Sequence, residues 1–226
     1  MSTILMNLDD IITKPKKVIF RKKAEAVVEN LTKRSIGAAF VETGRDAVEA
    51  VCKMIPEGSV VALGGSVTIM QIGLLDALRR MNIKLLDRYR PGITNEEIEE
   101  MTLRSMTADI MVTSTNAVTA DGKLVNEDGR GNRVGAMIFG PKKIIVVAGI
   151  NKIVETADDG LKRIKEIAAP FNCIRLGVDT PCARTGFCDD DECHAPARLC
   201  SQIVIIESNR VKDRMHVVIV GEELGY

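Results

Sequence analysis

Tryptophan is absent, and two tyrosines and five phenylalanines make up the whole aromatic complement of this 226-residue chain. Its core must therefore be aliphatic, and a hydrophobic fraction of 46% is enough to build a large one. Net charge is lacking as well, since 31 basic residues balance 31 acidic ones. That balance argues against a broad electrostatic footprint for nucleic acid or an anionic membrane. The segment 14–23 is locally basic, but its helical spacing reads as one solvated face. No run approaches the ~20 apolar residues that a bilayer span needs. The opening MSTILMNLDD has neither the positive start nor the apolar centre of a signal peptide. A soluble cytoplasmic chain is expected, without nucleic-acid or membrane partners. In that compartment its six cysteines point to free thiols or metal ligands rather than disulfides.

Along the chain, apolar runs alternate with amphipathic stretches. A helix is predicted over 15–34, with Ala24, Val27, Val28 and Leu31 on one face and Gly37 as its stop. Strands follow at 38–41, 59–63, 83–86 and 110–113, separated by helices over 46–55, 68–80 and 94–106. Thr94 and Glu97 have capping-box spacing. Asp121-Gly122 between two short β-type runs is a hairpin signal. A glycine-rich loop over 127–135, a strand at 144–148 and a helix over 156–168 closed by Pro170 come next. Further strands are predicted at 173–178, 203–206 and 216–220. Such alternation implies right-handed βαβ units in an open, mostly parallel α/β sheet, with the late hairpin as an antiparallel addition. No repeat or linker divides the chain, so one domain, 1–226, is expected, with a cysteine-rich segment at 180–201.

Three segments can carry chemistry. The turn Gly64-Gly65-Ser66-Val67-Thr68 joins a buried strand to a helix. Its glycines admit close approach of a ligand, and Ser66 or Thr68 can offer a hydroxyl to an anion; the plainer alternative is a tight turn with a capping hydroxyl. It matches neither the Walker loop nor the dinucleotide fingerprint. The loop Asn126-Glu127-Asp128-Gly129-Arg130-Gly131-Asn132-Arg133 gathers carboxylates, amides and guanidiniums. Glu127 or Asp128 is a candidate base or nucleophile and Arg133 an anion holder, unless these groups merely cap one another. The run CARTGFCDDDECHAPARLC places Cys182, Cys188, Cys193 and Cys200 with five, four and six residues between them. Four thiolates this close can hold zinc or an iron–sulfur cluster, with His194 as a substitute ligand. Packed reduced thiols and a cycling redox pair are the alternatives. Residues 189–192 read as a solvated acidic tip, Cys52 and Cys173 as buried core thiols, and His216 as structural.

Taken together, the GGSVT turn at 64–68 and the stretch STNAVTADGKLVNEDGRGNRVGAMIFGPKKIIVVAGINKIV at 114–154 resemble the LUD (lactate utilisation) domain family. The likeness is to the lactate utilisation protein C group, in a small stand-alone, cysteine-containing form. It extends over about residues 12–206, and the Thr180-Pro181-Cys182, Thr185-Gly186 and Pro196 to Cys200 pieces are similar to small members. This resemblance implies the open sheet shared by glucosamine-phosphate isomerases, ribose-phosphate isomerases and CoA transferases, with a crevice at the strand ends. Carried over by position, Gly64, Gly65, Ser66 and Thr68, with Asn126, Gly129, Asn132 and Arg133, would hold a small anion. Glu127 or Asp128 would supply the carboxylate. Operon-type members act in L-lactate oxidation to pyruvate beside iron–sulfur partner proteins; this chain departs from them in carrying its own cysteine cluster.

The leading expectation is thus a component of lactate or related organic-acid metabolism, binding a small anion and an iron–sulfur cluster or zinc through the four cysteines. An independent isomerase or acyl/CoA transferase that uses a loop carboxylate is one alternative. A non-catalytic redox- or metal-sensing subunit is another, and a homo-oligomer is compatible with each.

Overall fold

The computed structural model describes the backbone of residues 8–226 and side chains from residue 11 on. Most of the N-terminal segment read above for a targeting signal lies outside the described residues. Helix α1 (Leu8–Lys33) leads to β1 (Gly37–Val41), α2 (Gly44–Lys53) and β2 (Val60–Leu63). Two short helices, α3 (Val67–Gln71) and α4 (Leu74–Arg79), precede β3 (Lys84–Leu86), and α5 (Asn95–Arg104) precedes β4 (Ile110–Thr113). Next come β5 (Ala117–Thr119), β6 (Leu124–Asp128), α6 (Asn132–Phe139), β7 (Lys143–Gly149) and β8 (Ile153–Val154). Then α7 (Ala157–Arg163), a π-helical stretch Ile164–Ala168, α8 (Ala169–Leu176) and α9 (Pro181–Thr185) lead to β9 (Gln202–Ile206) and β10 (Met215–Val220).

Six strands form the main sheet in the order β1-β10-β7-β4-β2-β3, all parallel. Every residue of β4 is buried, as is β7 from Ile144 onward, which is why these segments read as unbroken apolar runs. Ala24, Val27 and Leu31 of α1, with Ala136 and Met137 of α6, cover one face through Ile144, Val146 and Ile219. Ala47 and Val51 of α2, with Leu74 and Leu78 of α4, cover the other through Val61, Val112 and Val147. Among the described residues no helix is long and apolar enough to cross a membrane.

The hairpin does not extend this sheet. β5 and β6 belong to a second, four-stranded sheet ordered β8-β5-β6-β9. There β9 pairs antiparallel with β6, setting Asn126 opposite Val204 and Asp128 opposite Gln202. This pairing draws the end of the cysteine segment onto the carboxylate-bearing strand. The turn is made by Gly122 at φ 86°, where a Cβ would lie 2.6 Å from the α1 backbone at Asn30 and Leu31. Glycine alone satisfies both demands.

Several local expectations are corrected. Gly37 opens β1 rather than stopping α1, which ends in a turn with Ser35 at φ 59°. The helix expected over 68–80 is two helices, broken at Gly73 with φ 73°. The glycine-rich loop shrinks to residues 129–131, because Glu127 and Asp128 end β6 and Asn132 begins α6. The strand expected at 173–178 is the end of α8. Pro170 does not close the preceding helix. It sits at the start of α8, next to a π-helical stretch where the hydrogen-bond ladder has already shifted.

Candidate functional site

From β2 the chain passes to β3 on one side, and β4 then lies on the other side of β2. The strand order therefore reverses at β2 and β4, and a crevice opens at their carboxyl ends, where open parallel sheets bind ligands. It encloses about 300 Å³ and is lined by Gly65, Ser66, Thr68, Ser114, Thr115, Asn116, Glu127 and Lys152, among others. That volume suits a small molecule.

At its base lies Lys152, just past β7 and only 3% exposed. Its Nζ donates to Thr68 Oγ1 at 3.2 Å, Ser114 Oγ at 3.0 Å and the Thr115 carbonyl at 3.2 Å. All three acceptors are neutral, and no carboxylate pairs with this amine among the described residues. Burial, with the nearby Arg163 and Arg133 guanidiniums, pushes Lys152 down to about 7. Sequence reading passed over this residue. Its signal was a lysine flanked by Ile150, Ile153 and Val154 just after a central strand.

The crevice wall is tied together by Arg133. Its guanidinium donates to Asp128 Oδ1 at 2.9 Å, Asn126 Oδ1 at 2.6 Å, Asn116 Oδ1 at 2.8 Å and the Ser114 carbonyl at 3.0 Å. Asp128 also accepts from the Val134 N–H at 2.9 Å. Both of its oxygens are thus engaged, and it holds Arg133 and the start of α6 in place. Glu127 differs. Its Oε2 is buried without a partner among the described residues, and burial raises its pKa, against the pull of Lys165 and Arg198. A carboxyl whose pKa is raised by burial at a crevice wall is suited to proton transfer. Tyr226 also lines the crevice, its ring stacked on Phe171 and its hydroxyl unpartnered.

The residues singled out from sequence fall into two groups. Gly65, Ser66, Thr68, Glu127, Asp128, Gly129, Asn132 and Arg133 line the crevice. Ser66 Oγ accepts from the Ile69 N–H at 3.2 Å and so caps α3. Gly64 and Asn126 stand behind the wall. A Cβ at Gly64 would meet Thr113 Oγ1 at 2.2 Å, so this glycine serves the packing of β2 against β4. Asn126 is fully buried and orients Arg133. Arg88 and Arg175, not singled out before, line the crevice and form no ion pair among the described residues.

A second, much smaller cavity of about 20 Å³ is lined by Cys182, Cys188, Cys193 and Cys200 together with Cys173. Cys173 is a buried thiol, but it is also part of this cluster, with its sulfur 3.9 Å from that of Cys182. Cys52, by contrast, is half-buried against the α2 core. Burial, then the negative charge of Glu127 and the other thiols, pushes Cys200 up to about 12. Burial also raises Cys188 and Cys173. Five thiols around one cavity are a donor set that suits a soft cation chemically, yet among the described residues no three side chains converge closely enough to hold a metal ion. His194 is exposed and does not line this cavity. The acidic tip is only partly solvated, because Asp190 pairs with both Lys165 and Arg198. Ala169, Leu199 and Cys200 line both cavities, so the thiols and the crevice share a wall.

The chain is thus an α/β protein with a polar crevice at the strand switch and an adjoining thiol cavity. The LUD domain family model matches residues 24–220, and the chain belongs to that family, which relates it to lactate utilisation. Among solved structures it is similar to a DUF162 family protein from Deinococcus radiodurans, with 15% identity, a TM-score of 0.49 and coverage of 90% of this chain and 98% of that one. No curated protein sequence matches the chain significantly.

Proposed function

We propose that the crevice binds a small carboxylate of the lactate and pyruvate class, and that the protein serves its oxidation or interconversion. The observation that carries this reading is that Arg88 and Arg175, with no ion pair among the described residues, line one small cavity that has the buried amine of Lys152 at its base. An anionic ligand would supply the counter-charge that these guanidiniums lack. Arg88 and Arg175, nearer solvent, would hold the carboxylate, and Thr68 and Ser114 would orient the reacting carbon beside Lys152. Glu127 would take up or release the proton, while Asp128 keeps Arg133 and the wall in register.

In the same reading Cys182, Cys188, Cys193 and Cys200, which do not converge on a metal-binding geometry in this structure, would have to draw together to hold an iron–sulfur cluster or a zinc ion. A cluster, when bound, supplies one-electron transfer toward iron–sulfur partner proteins, whereas zinc would stabilise the segment. Support comes from the donor set and from its shared wall with the crevice. The test has two arms. Protein purified without oxygen is titrated with L-lactate, pyruvate and the neutral lactamide while thermal unfolding is followed, and its iron and zinc are measured. Saturable stabilisation by the acids and none by lactamide is expected, because a ligand that binds only the folded state stabilises it. Equal effects of lactamide would remove the anion site, and metal-free protein would remove the metal centre.

A further inference from the structure

We propose that Lys152 is a carbonyl-reactive amine that forms a Schiff base with a 2-oxo acid bound in the crevice. The inference rests on the carboxylate-binding reading above and names the substrate class more narrowly. Its basis is the way the amine is held. A buried lysine is ordinarily matched by a carboxylate, but Lys152 meets only two hydroxyls and one carbonyl, at 3.0–3.2 Å. Asp128, an acid on the same wall, is committed to Arg133. Burial, and then the positive charge of Arg163 and Arg133, opposes the ammonium form, against the three hydrogen bonds that Nζ donates. A desolvated lysine without a counter-ion keeps its lone pair near neutral pH, which is the requirement for a nucleophilic amine.

The surroundings supply the other needs of such a step. Lys152 lines a cavity of about 300 Å³ rather than a sealed core. Arg88 and Arg175 can take the carboxylate of the incoming acid and leave its carbonyl toward the amine. Glu127 and Tyr226 line the same cavity.

The step balances without an oxidant or reductant. The Nζ lone pair forms a bond to the carbonyl carbon as the C=O π pair moves to oxygen, and one amine proton passes to that oxygen. The hydroxyl then leaves as water with the second amine proton, and the nitrogen lone pair closes the C=N bond. The Ser114 hydroxyl, 3.0 Å from Nζ, is placed to relay that proton.

The experiment is reductive trapping. Whole protein is incubated with pyruvate and sodium cyanoborohydride near neutral pH, and carboxyethyl-lysine is mapped by peptide mass spectrometry. Labelling at Lys152 is expected to exceed the per-lysine background elsewhere by about a hundredfold, because an ordinary lysine amine is almost wholly protonated at that pH. L-lactate, lacking a carbonyl, should give no adduct. Lys152→Arg keeps a cation but should lose the adduct; if that variant does not fold, the wild-type map decides alone. Background-level labelling at Lys152, in protein that pyruvate still stabilises against heat, overturns the Schiff base and leaves the anion site standing. Absence of both labelling and stabilisation overturns both.

Discussion

Replacing Lys152 with methionine should make the folded protein more stable at pH 7, and the gain should vanish as the pH rises. The unfolded amine titrates near 10.5, and in the fold it is pushed down to about 7 by burial and by the Arg163 and Arg133 charges. Between those values the unfolded chain binds the proton and the folded chain does not. Stability therefore rises with pH across this window and is insensitive to Lys152 well below it. With about 1.4 kcal/mol for each tenfold change in proton affinity, the amine costs the fold about 4 kcal/mol at pH 7 and about 2 kcal/mol at pH 9. Methionine has similar length and no charge, but it abandons the acceptors on Thr68, Ser114 and Thr115, a loss of about 1–3 kcal/mol. The net gain at pH 7 is then about 1–3 kcal/mol, or several degrees in Tm for a chain of this size. By pH 9 the difference should shrink by about 2 kcal/mol, toward zero or reversal. Paired urea melts of the two proteins at several pH values measure this, since Glu127, Asp128 and every other titrating group common to both largely cancel in the difference. A difference that stays constant from neutral to alkaline pH refutes the reasoning.

Two other perturbations test the wall of the site. Asp128→Asn strips the nearly buried Arg133 of its counter-ion and should cost about 3–5 kcal/mol in chemical denaturation; a change within about 0.5 kcal/mol, as for an ordinary surface substitution, would show that the network does not hold the wall. Glu127→Gln removes the charge that, after burial, most raises the Cys200 thiol. Iodoacetamide labelling of Cys200 at mildly alkaline pH should then quicken severalfold, because the thiolate is the reactive form, and an unchanged rate would mean that Glu127 does not act on this sulfur.

Local signals carried much of the fold. The capping box of Thr94 with Glu97 forms as spaced, each partner bonding the other's backbone, and Asp121-Gly122 makes the turn its dipeptide predicts. Those features involve neighbours in sequence, where spacing and geometry are nearly the same thing. Reading failed where one pattern suited two structures. Residues 173–178 have the apolar content of a strand, yet they continue a helix that packs through Ala169 and Cys173. Asn132 to Phe139 begins among glycines and polar residues, but Asp128 caps its first turn from outside the helix.

The site divides in the same way. Sequence alone determined which chemical groups are available, their order along the strands, and the likeness that proved to be family membership. Tertiary structure decided what each group is. Asp128 became a structural anchor and Glu127 a partnerless buried acid, although they are neighbours in the chain. Cys173 joined the other thiols through the meeting of α8 with α9, and Lys152 became a depressed amine because the fold buries it beside Arg163 and Arg133. Burial, counter-charge and hydrogen-bond partners set the behaviour of a titratable group, and here they come from strands and helices remote in sequence.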